Sequence, residues 1–270
     1  MPTRAVWYIA LNTFRESVRD KVFYNLVLFA VLLIGASLLL GQLTAGQEIK
    51  IIKDLGLSAM SLFGLFIAVF IGIGLVSKEV DRKSIYTVLT KPITRGQFIL
   101  GKFAGLVMTL AVNVVVMTVA LYAVLATMAW LTPANQRAVW EASPTDPALL
   151  TAVGLTFVEL MLLTAVALLF STFSSPLLSA GLTIACYVIG HFNADLRNFE
   201  AVVDAPAVAW ITRACYYVLP NLAPFSVTAR VVHAQPVSAA YVAATVGYGL
   251  VYTALLLTAG MWIFSRRDFK

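Results

Sequence analysis

The chain has 270 residues, of which 60% are hydrophobic and only 12% charged, with a mean hydropathy of +0.89. Soluble domains carry about 25% charged residues, so a water-covered globule of this size is excluded and the apolar excess must face lipid. The formal net charge of +6 sits in short segments between apolar runs. That placement marks a topology signal facing an anionic leaflet and argues against nucleic acid as a partner.

Ahead of the first apolar run, Trp7, Leu11, Phe14 and Val18 recur at helical spacing, with Asn12, Arg15, Glu16, Arg19 and Asp20 on the opposite face. This predicts an amphipathic helix within residues 1–21, lying at the interface with its apolar side in the headgroup boundary. A long charged lead and the lack of a small-residue cleavage site make the next run a retained span, not a signal peptide.

Uncharged windows delimit the spans. They lie between Lys21 and Glu48, Asp54 and Lys78, Lys102 and Arg137, and Arg230 and Arg266. Each holds one helix of about 20 residues, expected at 22–43, 55–76, 103–131 and 239–264. Between Asp146 and Asp195 the only charge is Glu159, and that window holds two helices, 149–170 and 176–190. Their break is the Ser/Thr-rich stretch Ser171-Thr172-Phe173-Ser174-Ser175-Pro176, whose proline suits the first turn of a new helix. The expectation is an all-α membrane protein with six transmembrane helices in a single domain over 1–270. With the N-terminus inside, 13 Lys and Arg lie on the cytoplasmic side and 6 outside. The positive-inside rule accepts this orientation, with both termini cytoplasmic, and rejects its inverse.

The segment 191–236 is then the long outer connection. Its Pro206, Pro220, Pro224 and Pro236, interleaved with Trp210, Tyr216 and Tyr217, suit short helices at the outer interface. On the cytoplasmic side, 77–102 connects the second and third spans. There Val80, Ile85, Val88 and Leu89 can share one helical face, with Asp81, Arg82, Lys83 and Thr87 elsewhere, before Pro92 ends the element. From the residues alone this is either a short amphipathic helix held under the membrane or a solvated loop carrying topology charges.

Chemistry-bearing motifs are sparse. Gly96 to Phe103 matches the G-x-x-x-x-G-K frame of a phosphate loop. However, Phe103 stands where Ser or Thr should hold Mg²⁺, the middle is bulky and apolar, and no strand precedes it. ATP binding and ATPase activity are therefore not expected in this chain. His191 and His233 fall on the outer side without metal-ligand spacing, and no G-x-S-x-G elbow is present. Cys186 and Cys215 form no CxxC pair and are expected to be inert thiols. No cofactor or metal site is expected. Glu159 is the membrane-embedded polar residue. A mid-span carboxylate costs about 2.5–3.5 kcal/mol on insertion scales, so it must face protein or water. It is either a pathway or gating residue, or a protonated or hydrogen-bonded carboxyl that joins helices or caps a broken one, the second reading being preferred.

The stretch Glu79, Asp81-Arg82-Lys83-Ser84, Leu89-Thr90-Lys91-Pro92-Ile93-Thr94-Arg95 and Gly101-Lys102 resembles the signature of type 2 ABC transporter permeases. Lys83-Ser84 stands where Gly-Thr is commonest in that family. The lead helix, the six spans, the Ser-Pro break and the terminal Phe264-Ser265-Arg266-Arg267-Asp268 are also similar to the family. Within it the chain looks most like permeases linked with multicopper-enzyme maturation. The resemblance implies that the segment around Glu79–Arg95 is a coupling helix seated in a groove of a separate ATPase subunit. Glu79, Asp81, Arg82, Lys83, Tyr86, Lys91, Pro92 and Arg95 would make the contact, with charged residues pairing across the interface. It further implies ATP and Mg²⁺ bound by that partner, a second permease copy or similar paralogue, and a bacterial inner (plasma) membrane. Export of a substrate is the expected activity. A non-transporting anchor or assembly factor of the same fold is the alternative, and a secondary transporter is disfavoured because no matching pair of broken segments marks inverted repeats.

Overall fold

A computed structural model of the chain describes residues 2–42, 47–74, 94–137, 140, 143–144, 146–192, 213 and 216–266. Regular structure among the described residues is helical throughout. Helix α1 spans Pro2–Val18 and α2 spans Lys21–Gln42. Between them Asp20 acts as an N-cap, its Oδ1 accepting from Val22 N at 2.9 Å. Helix α3 covers Glu48–Phe66 and continues through a wider π turn at Ile67–Ile71 to Gly74. Helix α4 is Arg95–Leu131, followed by the short α5, Ala134–Arg137. Helices α6, Ala148–Ser171, and α7, Pro176–His191, are separated by the expected Ser-Pro break. A 3₁₀ turn at Ala223–Phe225 and the short α8, Thr228–Val232, precede the last helix α9, Ala239–Arg266.

Five of these helices, α2, α3 with its continuation, α4, α6 and α9, are long and apolar enough to cross a membrane, and α7 is a shorter apolar helix. The chain is an all-α membrane protein. Its surface agrees with that: Leu28, Phe29 and Leu32 on α2, Val115 and Val119 on α4, and Val251 and Leu255 on α9 are large, apolar and exposed. In water such patches would drive aggregation, whereas in lipid they need no cover. The interior is sealed by Met60, Met117, Leu121, Leu125, Leu160 and Leu163, all fully buried. Several buried hydroxyls fold back on their own helices. Thr109 donates to Gly105 O at 3.0 Å and Thr164 to Leu160 O at 2.8 Å, which satisfies them without a partner helix.

Three differences from the expected layout have physical causes. Helix α3 starts at Glu48, seven residues before the span expected at 55. Lys53 can therefore lie inside the bundle, fully buried, with its Nζ 3.8 Å from Asp146 Oδ2. An uncharged window does not detect a charge that is paired. Helix α4 starts at Arg95, so residues 95–102 of the expected cytoplasmic connection are helix. Gly96 to Phe103 is continuous helix and not a loop. At 37 residues the helix is about 55 Å long, well beyond the roughly 30 Å hydrocarbon layer.

The third difference concerns α1, which packs along the start of α4. Of the apolar stripe, Trp7 is 55% exposed, whereas Leu11, Phe14 and Val18 are half-buried. The contact face is Ala10, Thr13 and Ser17, each buried. A Cβ at Gly105 would meet Ala10 O at 2.5 Å and Thr13 Cβ at 2.6 Å, and one at Gly101 would meet Ile9 Cβ at 2.6 Å. Small residues on both helices let the backbones touch, and Trp7 is left facing outward. The polar face behaves as expected: Asn12, Arg15, Glu16, Arg19 and Asp20 line an open groove of about 650 Å³.

Candidate functional site

Two places on the bundle bring polar chemistry together. At the end that holds the start of α4 and the close of α9, Thr94 caps α4 by a reciprocal capping box with Gln97. Gln97 N donates to Thr94 Oγ1 at 3.3 Å and Thr94 N to Gln97 Oε1 at 3.1 Å. Residue 95 is thereby held on the first turn. Its guanidinium Nη1 donates to Phe264 O at 3.1 Å and Ser265 O at 2.9 Å, the terminal carbonyls of α9. A cation on unsatisfied C-terminal carbonyls completes that helix electrostatically. Beside it Phe98 and Phe264 stack with centroids 6.0 Å apart, and Lys102 Nζ stands 5.8 Å over the Phe98 ring.

Of the expected ATPase-contact residues, the structure describes Arg95 alone. Glu79, Asp81, Arg82, Lys83, Tyr86, Lys91 and Pro92 lie outside the described residues. Arg95 spends its guanidinium on α9. It therefore ties the first turn of α4 to the last helix of the chain, a link that no spacing rule in the sequence predicts.

The second place is built around Glu159, which is 2% exposed at the middle of α6. Helix α7 has 16 residues and so is about 24 Å long, too short to cover the hydrocarbon layer. Its last residue, His191, consequently stops inside the bundle, with Nε2 3.5 Å from Glu159 Oε1. The space beyond α7 is filled by the returning chain. Leu222 N donates to Gly190 O at 2.9 Å, and Leu222, Phe225 and Val231 are fully buried. Helix α9 clamps this return, Tyr241 Oη donating to Pro224 O at 2.8 Å and Tyr252 Oη to Val218 O at 2.6 Å. Residues 219–232 of the expected interfacial connection thus pack against the bundle, while Tyr217 and Val218 stay exposed; Leu222, Phe225 and Val231 supply the core that a short α7 omits.

A cavity of about 390 Å³ opens between α3, α6, α7 and α8. Asp54, Ser58 and Ser61 descend one face of α3 into it, and Glu159, Tyr187 and His191 close it. Ser61 Oγ and Tyr187 Oη share a hydrogen bond at 3.1 Å, and His191 Nδ1 lies 3.1 Å from Tyr187 O. No hydrogen bond reaches Glu159 Oε1. Its Oε1 lies 3.5 Å from the His191 imidazole on α7, so the contact between the two helices is a close approach and not a hydrogen bond. The sequence isolated Glu159 by its charge and missed His191, which pairs with it only because α7 ends early. Asp54-x-x-x-Ser58-x-x-Ser61 was the readable signal, a polar stripe on a membrane helix that has no reason to face lipid.

A family profile described as ABC-2 family transporter protein matches residues 7–269. The chain belongs to the ABC-2 transporter family. The match takes in all six apolar helices and both polar sites, so the Arg95 link and the Glu159 cavity are features of an ABC-2 membrane subunit. No curated protein matches the chain.

Proposed function

We propose that this ABC-2 membrane protein is the permease subunit of an ATP-driven exporter whose ATPase is a separate polypeptide. The observation that carries the reading is the family match over residues 7–269, laid on a helical bundle with five long apolar helices and a sixth shorter one. The ATPase would dock at the connection containing Glu79, Asp81, Arg82, Lys83, Tyr86, Lys91 and Pro92. Its movement would reach the bundle through Thr94 and Arg95, the latter bonded to α9. The 13-to-6 distribution of Lys and Arg supports an orientation with that connection and both termini in the cytoplasm, in a bacterial inner membrane. A second permease copy would complete the unit. The narrower likeness to permeases linked with multicopper-enzyme maturation remains a reading of the Glu79–Lys102 stretch and fixes no substrate.

The test is co-expression with an ATPase encoded beside the chain, followed by purification and reconstitution into sealed vesicles. A permease co-purifies with the ATPase and supports ATP-dependent movement of solute across the vesicle wall. An ATPase complex without vectorial movement would instead favour the anchor or assembly role. Failure of any ATPase to associate contradicts both.

A further inference from the structure

The Glu159 cavity has an entrance. A second, larger cavity of about 600 Å³ lies at the end of the bundle where α3 begins, between α3 and α8, with Lys50, Asp54 and His233 among its walls. The two cavities share Asp54 and Ala229 as wall residues, so they adjoin at Asp54. Around the inner cavity the polar groups are two carboxyls, Asp54 and Glu159, the imidazole of His191 and hydroxyls such as Ser58 and Ser61, whereas the outer cavity adds the cationic Lys50 and the imidazole of His233. Glu159 is 2% exposed and its Oε1 receives no hydrogen bond. A buried carboxyl oxygen without a donor costs free energy unless something supplies one.

We infer that the inner cavity is a binding site for a small ammonium-bearing molecule. Such a ligand enters past Asp54 and donates hydrogen bonds from its N–H groups to Glu159. A protonated amine brings up to three donors and a positive charge to a place that offers acceptors and two acidic groups. The inner volume matches the lower range of small-molecule pockets. A bare metal ion fits less well, since no group of three or more His, Cys, Asp or Glu stands close enough to share one among the described residues. The site lies within one subunit and its inference rests on the membrane-protein assignment, not on coupling to an ATPase.

The test needs no ATPase. Ser61→Cys on the cavity wall and Ser238→Cys, exposed before α9, are made separately in the full chain and reconstituted. Each is treated with 2-aminoethyl methanethiosulfonate, which carries an ammonium, or with the 2-sulfonatoethyl reagent, which carries an anion, and the unsubstituted chain gives the background. At Ser61→Cys the amine reagent should react at least tenfold faster than the sulfonate, whereas at Ser238→Cys the two rates should agree within about twofold after correction for intrinsic reactivity. Millimolar butylammonium should slow the amine reagent at Ser61→Cys several-fold, and adding Glu159→Gln should remove both the preference and the protection. Asp54→Asn, on the entrance, should reduce the preference and provides a second reading if Glu159→Gln does not fold. Equal rates for the two reagents at Ser61→Cys would overturn the inference. So would a preference and protection that survive both Glu159→Gln and Asp54→Asn.

Discussion

Glu159→Gln and Glu159→Leu separate hydrogen bonding from packing at the centre of α6. Because no hydrogen bond reaches Glu159 Oε1, replacing a buried, unsatisfied acceptor by an apolar side chain of similar size should be neutral or stabilising. Both variants should keep wild-type folded yield, and their thermal midpoints in detergent should lie within a few degrees of the parent. A structural carboxyl would behave differently. It would lose a membrane hydrogen bond of about 1–2 kcal/mol in the Leu variant while tolerating Gln. A sharp fall in yield for Leu alone would return Glu159 to the helix-joining role. Arg95 is a residue of the other kind, one whose bonds are made. Arg95→Ala removes its donations to Phe264 O and Ser265 O, a loss of about 1–2 kcal/mol at a helix C-terminus. The end of α9 should then exchange amide hydrogens faster, and the midpoint should fall by a few degrees. Arg95→Lys, with a single ammonium, should recover part of both. Unchanged exchange at Phe264 and Ser265 in the Ala variant would show that the link carries nothing.

At the scale of elements, the packing of α1 on α4 is the sharpest geometric demand in the molecule. A methyl group at Gly105 would stand 2.5 Å from Ala10 O, and a backbone oxygen cannot rotate away. Gly105→Ala should therefore cost about 1–3 kcal/mol and open the Thr13 and Ser17 face of α1 to a thiol reagent when either is made cysteine. Gly154→Ala, where nothing lies within 4 Å, should be neutral or slightly stabilising and serves as the control. Equal stability of the two variants would contradict the close packing. How far these elements were legible depends on what periodicity measures. The apolar windows located α2, α6, α7 and α9 nearly to their ends, because lipid imposes one rule on every exposed residue. They failed at α3 and α4 because Lys53 and Lys102 are buried charges with local partners, and a window reads any charge as water. Helix α1 shows a third case. Its apolar stripe was evident, yet the contact is made by Ala10, Thr13 and Ser17, whose signal was the small-x-x-x-small spacing of Gly101 and Gly105 on the other helix.

For the whole molecule, topology and coupling are the two claims to test. Single-cysteine labelling should place Tyr86 and Lys270 on the cytoplasmic side and Trp140 and Asp204 outside. Labelling of Trp140→Cys from the cytoplasm would reverse the orientation and with it the meaning of both polar sites. Neither site was legible in full, for one reason. Each is assembled from residues more than 30 positions apart, Glu159 with His191 and Arg95 with Phe264, brought together by helix lengths and end positions that composition does not encode. At the same scale stands the proposed coupling, in which a separate ATPase drives the permease through the charged connection between its second and third spans. The most direct measurement is the combined reversal Arg82→Glu and Lys83→Glu in the reconstituted complex. The variant chain should still insert and reach wild-type folded yield, while co-purifying ATPase and permease-stimulated ATP hydrolysis both fall about tenfold or more. An intact complex with hydrolysis stimulated as before would contradict it.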